Sequence, residues 1–349
     1  MGYSMRYYER RIGRGRILCI NTFSSPYSSF IHKVIGVLLG RGVLYFKPSP
    51  KAEKCSYELY TIISNIMSKY NDKILNFLPG INDTEMINVL SAFEFSAILF
   101  TGKSETAKII KKYIGRIPGI FETGSSAMAY VHIDKGYEKV AKELAQASFA
   151  QSGMRCIGLK NLFVHKNTIA NLLPFLLEQV YQLSVGEPLN YETDIGPIYD
   201  NQVVDRTLEL INQCSKQNFK LLCGGKIIEN NIMLPTILIE DGIGSIITTM
   251  EVYAPVLFVH VVDEFSVIPM EYFKRSSLNN TIYSDYKKET EQYIEYNKYS
   301  GNISIGLPPD LRIDVLPFGG FYDENEQKES VENIVEIVSH KQTILEREE

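Results

Sequence analysis

Hydrophobic and polar positions along the first third of the chain alternate between two periods. "RILCINTF" is a short run rich in β-formers. "SSFIHKVIGVLLGRG" spaces its apolar residues as a helix does and stops at glycine. "VLYFKPSP" returns to strand character and is closed by prolines. "SYELYTIISNIMSKY" is helical, "ILNFLPG" and "AILFTG" are extended, and "SETAKIIKKYI" is helical with Ser104 as its expected N-cap. Strand and helix in alternation predict a parallel sheet covered on both faces.

The pattern resets near residue 135. "GYEKVAKELAQASFAQSG" predicts a helix ending at Gly153, and "NLFVHK" a strand. "TIANLLPFLLEQVYQL", interrupted by Pro174, and "NQVVDRTLELINQCSKQ" predict helices. "FKLLCGG" and "MLPTILIE" are extended, and the nearly continuous apolar run "APVLFVHVV" suits a strand buried on both faces. The second part is therefore also α/β, and two α/β lobes suggest a cleft between them. The charged tail carries one strand candidate, "NIVEIV".

Composition narrows the class without naming a chemistry. The chain has 349 residues, 45% hydrophobic and 22% charged, enough for two domains. A net charge of −5 argues against nucleic acid as a partner, although the segment "RYYERRIGRGR" is locally basic. Five scattered cysteines without CxxC spacing exclude a disulfide framework and a thiolate zinc site, and fit a reducing cytoplasm. No His-x-x-x-His pair occurs, so no metal is expected. The most apolar long window, "FIHKVIGVLLGRGVLYF", is too short and too charged to span a bilayer, and the N-terminus lacks the apolar core of a signal peptide.

Two short stretches carry candidate chemistry. "GIFETGSS" puts Glu122 after an apolar strand, where α/β folds place ligands. "FAQSGMRCIG" puts Cys156 after a Ser-Gly pair and an arginine. Alone, a cysteine in an α/β domain is more often an inert buried thiol, and a glutamate after a strand is more often solvated.

Together, "FETG" and "FAQSGMRC" resemble the aldehyde dehydrogenase superfamily, in which the first segment carries a general base and the second the nucleophile, at this interval. Phe149, Gly153 and Cys156 match the second motif, and Met154 stands where that family usually has Gln. The resemblance continues in order through "LYFKPSP", "LFTGKSETA", "VGEPLNYETDIGPI", "MLPTIL", "MEVYAPV" and "LPFGG", from about residue 12 to near the C-terminus. It implies an α/β fold with a Rossmann-type cofactor lobe and an α/β catalytic lobe. The implied divisions are an arm at 1–14, a cofactor-binding domain at 15–122, a catalytic domain at 123–320 and an oligomerisation tail at 321–349. The implied catalytic residues are Cys156, Glu122 and Ser24. The implied holders of NADP or NAD are Lys47, Ser49, Gly102, Lys103, Ser104, Thr123, Glu251 and Tyr253. The implied reaction turns an aldehyde, semialdehydes included, into a carboxylic acid. The implied state is a homo-oligomer, a dimer or tetramer, bridged by the basic arm and the tail strand.

The departures from that family are specific. Ser24 replaces the asparagine whose amide donates to the oxyanion. Pro50 replaces the glutamate that clasps the adenosine ribose, which removes a charge that would repel a 2′-phosphate. Lys103 and Ala107 alter the phosphate turn, and Ser125 and Ser126 replace a Gly-Lys pair. Family chains usually carry roughly a hundred further residues before this point. These departures keep a second reading open: a homologue that retains the fold for nucleotide binding or assembly. Acyl transfer to coenzyme A is disfavoured, because a retained Glu122 implies hydrolysis.

Overall fold

A computed structural model describes residues 4–71, 73–244, 246–323 and 325–347. The chain begins with β1 (Met5–Gly13), then runs β2 (Arg16–Ile20), α1 (Pro26–Leu39), β3 (Val43–Lys47), α2 (Glu53–Met67), β4 (Leu75–Phe77), α3 (Asp83–Ala92), β5 (Ala97–Gly102), α4 (Ser104–Ile114) and β6 (Gly119–Thr123). Next come β7 (Ala127–His132), α5 (Tyr137–Phe149), β8 (Leu159–His165), α6 (Lys166–Tyr181), α7 (Asn201–Ser215), β9 (Lys220–Cys223), β10 (Ile227–Glu229), β11 (Ile232–Met233), β12 (Thr236–Asp241) and β13 (Val256–Val262). The remainder is α8 (Met270–Arg275), β14 (Asn279–Ser284), α9 (Lys287–Tyr296), β15 (Asn302–Ile305), α10 (Val331–Val338) and β16 (Ser339–Arg347). Two compact units result. The first holds residues 1–123, 314–317 and 323–349, and the second holds 124–313 and 318–322.

In the first unit, five strands form a parallel sheet in the order β4-β3-β2-β5-β6. Successive residues of β2 alternate between its faces. Ile17 and Cys19 enter one apolar cluster with Phe30, Val37, Ile334 and Val338, while Leu18 and Ile20 enter another with Ile98, Phe100, Ala107 and Ile110. Fully burying each such side chain is worth about 1.5–3 kcal/mol, so both faces need helical cover. The strand order reverses between β2 and β5, and the carboxyl ends at such a switch point are where open α/β sheets bind ligands.

The second unit holds a seven-stranded sheet in the order β15-β14-β7-β8-β13-β12-β9, parallel except where β9 meets β12. The nearly continuous apolar run became β13, flanked on both edges by β8 and β12. Val256 and Phe258 pack on one face, Leu257 and Val259 on the other.

Three expectations need correcting. "NIVEIV" lies in helix α10, not in a strand; its apolar residues fall at i, i+1, i+3 and i+4, and the Ser330 hydroxyl accepts from Asn333 N–H at 3.1 Å to cap the helix. The tail strand is the next segment, β16, which pairs antiparallel with β1. Ser104 is the first helical residue of α4, and the N-cap position belongs to Lys103, whose side chain caps nothing. The helix expected to reach Gly153 ends at Phe149 and continues as a 3-10 turn over Ala150–Gly153.

Candidate active site

At the carboxyl ends of the first sheet, the structure gathers most of the residues singled out in the sequence. Strand β6 carries Glu122, which is buried at 5% exposure rather than solvated, with its Oε1 accepting from Glu329 N–H at 3.2 Å. Lys328 lies near that carboxylate; burial lowers the lysine's pKa, and Glu122 opposes the shift. Thr123 ends the strand, its N–H donating to Asn325 Oδ1 at 2.8 Å. Its hydroxyl is buried and has no hydrogen-bond partner among the described residues. Lys47, nearly buried, ends β3, and Ser49 follows at the start of a 3-10 turn. Gly102 ends β5, exposed Lys103 follows, and Ser104 opens α4.

The loop after β2 holds Ser24. Asn21 anchors that loop by donating to the Pro26 carbonyl at 3.2 Å and accepting from Ser29 Oγ at 2.6 Å. The Ser24 hydroxyl lies 3.2 Å from Thr22 Oγ1, which also accepts from Ser24 N–H at 3.4 Å.

Sequence reasoning missed a buried ionic cluster at the switch point. Lys33 on α1 is fully buried; its ammonium donates to Ser29 Oγ at 2.8 Å and to Thr101 Oγ1, and lies 3.5 Å from Glu329 Oε2. Glu329 therefore joins Lys33 to Glu122 through its side chain and its own N–H. A lysine within an amphipathic helix and a glutamate in a charged tail both read as solvated, so only the spacing Ser29–Lys33, one helical turn, hinted at contact.

The second unit positions the remaining three candidates together. After α5 the backbone turns through three left-handed residues, Gln151 (φ 54°), Ser152 (φ 55°) and Gly153 (φ 68°). Such conformations persist only where surrounding contacts over-determine them, and they cluster at functional sites. Ser152 supplies one constraint: its Oγ donates to Gly196 O at 3.0 Å and accepts from Gly196 N–H at 2.9 Å. Cys156 follows, half-buried against Ile157, Leu278 and Phe318. The Arg155 guanidinium is paired with the buried Asp310 carboxylate in the same unit. Glu251 is exposed and reaches Gly124 so closely that a Cβ there would fall 1.5 Å from its Oε1. Tyr253 is raised well above the ordinary phenol value by burial, then by Glu251 and by Cys156, which places all three in one neighbourhood.

Cys19 and Cys214 are buried, whereas Cys55 and Cys223 are half-buried like Cys156. Burial pushes Cys19 up to about 12, offset in part by Lys33, and Cys214 up to about 11. Burial also raises Cys223. No cluster of three or more His, Cys, Asp or Glu side chains suited to a metal occurs among the described residues. None of their helices is long and apolar enough to cross a membrane.

Comparison with known proteins gives one consistent result. The pattern of the aldehyde dehydrogenase family matches residues 3–344. The chain is 26% identical over 334 residues to a lactaldehyde dehydrogenase of Methanococcus aeolicus, covering 95% of this chain and 71% of that protein. It is 24% identical to a sulfoacetaldehyde dehydrogenase of Neptuniibacter caesariensis, covering 95% and 72%. Among solved structures it is similar to the glyceraldehyde-3-phosphate dehydrogenase GapN of Methanocaldococcus jannaschii, complexed with NADP, at a TM-score of 0.91 and 25% identity over 100% of this chain and 76% of that one.

Proposed function

The chain belongs to the aldehyde dehydrogenase family, and from that premise we propose that it oxidises an aldehyde to a carboxylic acid with NADP or NAD. The observation that carries the reading is the setting of Cys156: a half-buried thiol on a strained, pinned turn, beside Glu251 and Tyr253, in a chain where Cys19 and Cys214 are buried.

The Cys156 thiolate attacks the aldehyde carbon and forms a thiohemiacetal. Its oxyanion needs fixed donors, for which the Cys156 N–H and the Ser24 hydroxyl are proposed. Bound nicotinamide supplies the hydride acceptor. A thioester to Cys156 remains. Glu122 takes a proton from water, the hydroxide oxygen bonds to the thioester carbon, and the C–S bond breaks to return the thiolate and release the acid.

The residues present fit the cofactor. The α4 N-terminus lies one residue beyond Gly102, across Lys103, and lacks a side-chain cap, which leaves its first N–H groups for a phosphate. The buried Thr123 hydroxyl, with no partner among the described residues, fits a ligand group at the end of the same sheet. Lys47 and Ser49 are assigned to the adenosine ribose, Gly102, Lys103 and Ser104 to the pyrophosphate, and Glu251 with Tyr253 to the nicotinamide ribose. Pro50 in place of a carboxylate favours acceptance of NADP at least as well as NAD. A small polar aldehyde is the proposed substrate class, with relatives named for lactaldehyde and sulfoacetaldehyde as precedent. A homo-oligomeric protein of the cytoplasm completes the proposal.

The test is absorbance of the reduced nicotinamide with a panel of aldehydes and both cofactors, on wild type and Cys156→Ala. Turnover that vanishes in Cys156→Ala supports the reading, and a variant that retains the wild-type rate removes it.

A further inference from the structure

Strand β8 contains an irregularity that redirects one side chain. Ala127 of β7 pairs with Leu159, but the next residue, Met128, pairs with Asn161, so Lys160 is the extra residue of a bulge. Bulges re-aim side chains and recur beside active sites. Lys160 is 1% exposed, and its amino group donates to Gly153 O at 2.7 Å and to Ala254 O at 2.9 Å. Those carbonyls belong to different segments. Gly153 ends the left-handed turn before Cys156, and Ala254 directly follows Tyr253. Their backbones touch, since a Cβ on Gly153 would fall 2.2 Å from Ala254 O. An amino group is costly to bury, and here both of its hydrogen bonds go to these two segments. The Ser152–Gly196 pair restrains the turn on one side, and Lys160 restrains it on the other.

We propose that Lys160 is a positioning residue, whose amino group bridges the Gly153 and Ala254 carbonyls and so fixes the Cys156 turn against the segment bearing Glu251 and Tyr253. The proposal rests on reading Cys156 as the nucleophile, but the bridge itself is measurable without substrate.

The bridge has a pH signature. Burial lowers the Lys160 ammonium to about 7, and the Glu251 carboxylate opposes that shift. Glu251 is the charged group that acts on Lys160; around Glu251 lie the Tyr253 and Tyr199 phenols, both raised in pKa, and Tyr253 in turn feels the Cys156 thiol. When the two segments part, water reaches the amine and its pKa returns toward the ordinary 10.5. Between those values the opened form binds the additional proton, so opening is favoured as pH falls and suppressed as pH rises. From about pH 6.5 to 8.5 the opening constant is expected to fall on the order of tenfold.

Hydrogen exchange by mass spectrometry on the full chain, corrected for intrinsic rates, tests this in peptides covering 150–157 and 251–256. In wild type both peptides are expected to gain about tenfold protection together across that interval. In Lys160→Met the pH response is expected to vanish in both, with circular dichroism confirming the fold. The same pH response in Lys160→Met, or a wild-type response in only one peptide, would overturn the bridge. If Lys160→Met does not fold, the joint wild-type response decides alone. A kinetic arm separates the two readings. Lys160→Met is expected to lower kcat about tenfold with KM nearly unchanged, as misplacement of a reacting group does. If Cys156→Ala abolishes turnover while Lys160→Met keeps the wild-type kcat, the positioning role falls and the enzyme reading stands. If Cys156→Ala retains turnover, the enzyme reading falls, and with it the positioning role.

Discussion

A thiol's reactivity follows from whether its anion is tolerated where it sits. Cys19 and Cys214 are buried and raised to about 12 and about 11, so neither forms thiolate near neutral pH. If Cys156 is the nucleophile, iodoacetamide with peptide mapping is expected to modify it first, ahead of the equally half-buried Cys55; labelling of Cys55 or Cys214 ahead of Cys156 would contradict the assignment. The oxyanion poses a second residue-scale question. The Ser24 hydroxyl is shorter than the amide it replaces and already lies near Thr22 Oγ1. Ser24→Asn is expected to raise kcat more than it changes KM, by up to about 3 kcal/mol of barrier, in steady-state kinetics. A fall in kcat would mean the loop anchored by Asn21 has repacked around a small residue. The sequence singles out residues at this scale where the proposed chemistry sits in a fixed local motif, as for Cys156 and Glu122. It does not single out Lys33, Glu329 and Lys160, because a buried charge is defined by partners far away in sequence. Lys160 illustrates this: it lies in an apolar strand and depends on carbonyls at positions 153 and 254.

Element identity was legible where one period ran long enough to exclude the other. Helical spacing identifies α1, α2, α4, α6 and α7, and short apolar runs rich in β-formers identify β2, β3, β5 and β13. Short segments were harder. "NIVEIV" has β-branched residues that favour a strand, yet it is helical because its stripe packs on α1. Helix α3 was overlooked despite its capping box between Asn82 and Glu85. The α1–α10 contact gives a sharp test. Gly36 and Gly40 let α10 approach, and a Cβ on Gly36 would fall 2.5 Å from Ile334 Cγ2. Gly36→Ala is expected to destabilise the chain by about 1–3 kcal/mol in urea denaturation, as overpacking does. Adding Ile334→Ala should then cost less than Ile334→Ala alone, since the cavity and the intruding methyl offset one another. Strict additivity in the double-mutant cycle would refute the contact.

At the scale of the whole molecule, the strands at the two ends of the chain set the remaining expectation. β1 and β16 pair residue for residue from Met5–Arg347 to Gly13–Ser339, and among the described residues they form a sheet of only two strands. Most of their side chains are exposed, Tyr7 at 72% and Leu345 at 64%. A two-stranded ribbon is marginal in water. Its cross-strand pairs, Arg6–Glu346 and Glu9–Lys341, are surface ion pairs worth roughly 0–1 kcal/mol each. What keeps such a ribbon in register is a third strand or a face to pack on, and its open edges and exposed tyrosines offer both to a second copy. The expected state is thus a homo-oligomer with two-fold symmetry, in which the ribbon is covered. Sedimentation equilibrium at micromolar concentration checks it, and a strict monomer would refute it. Tyr8→Pro removes a backbone donor from β1 and breaks the ribbon without touching either candidate site. It is expected to shift the equilibrium toward monomer while circular dichroism stays near wild type. An unchanged assembly in Tyr8→Pro would move the interface to another surface and leave the ribbon without its proposed role.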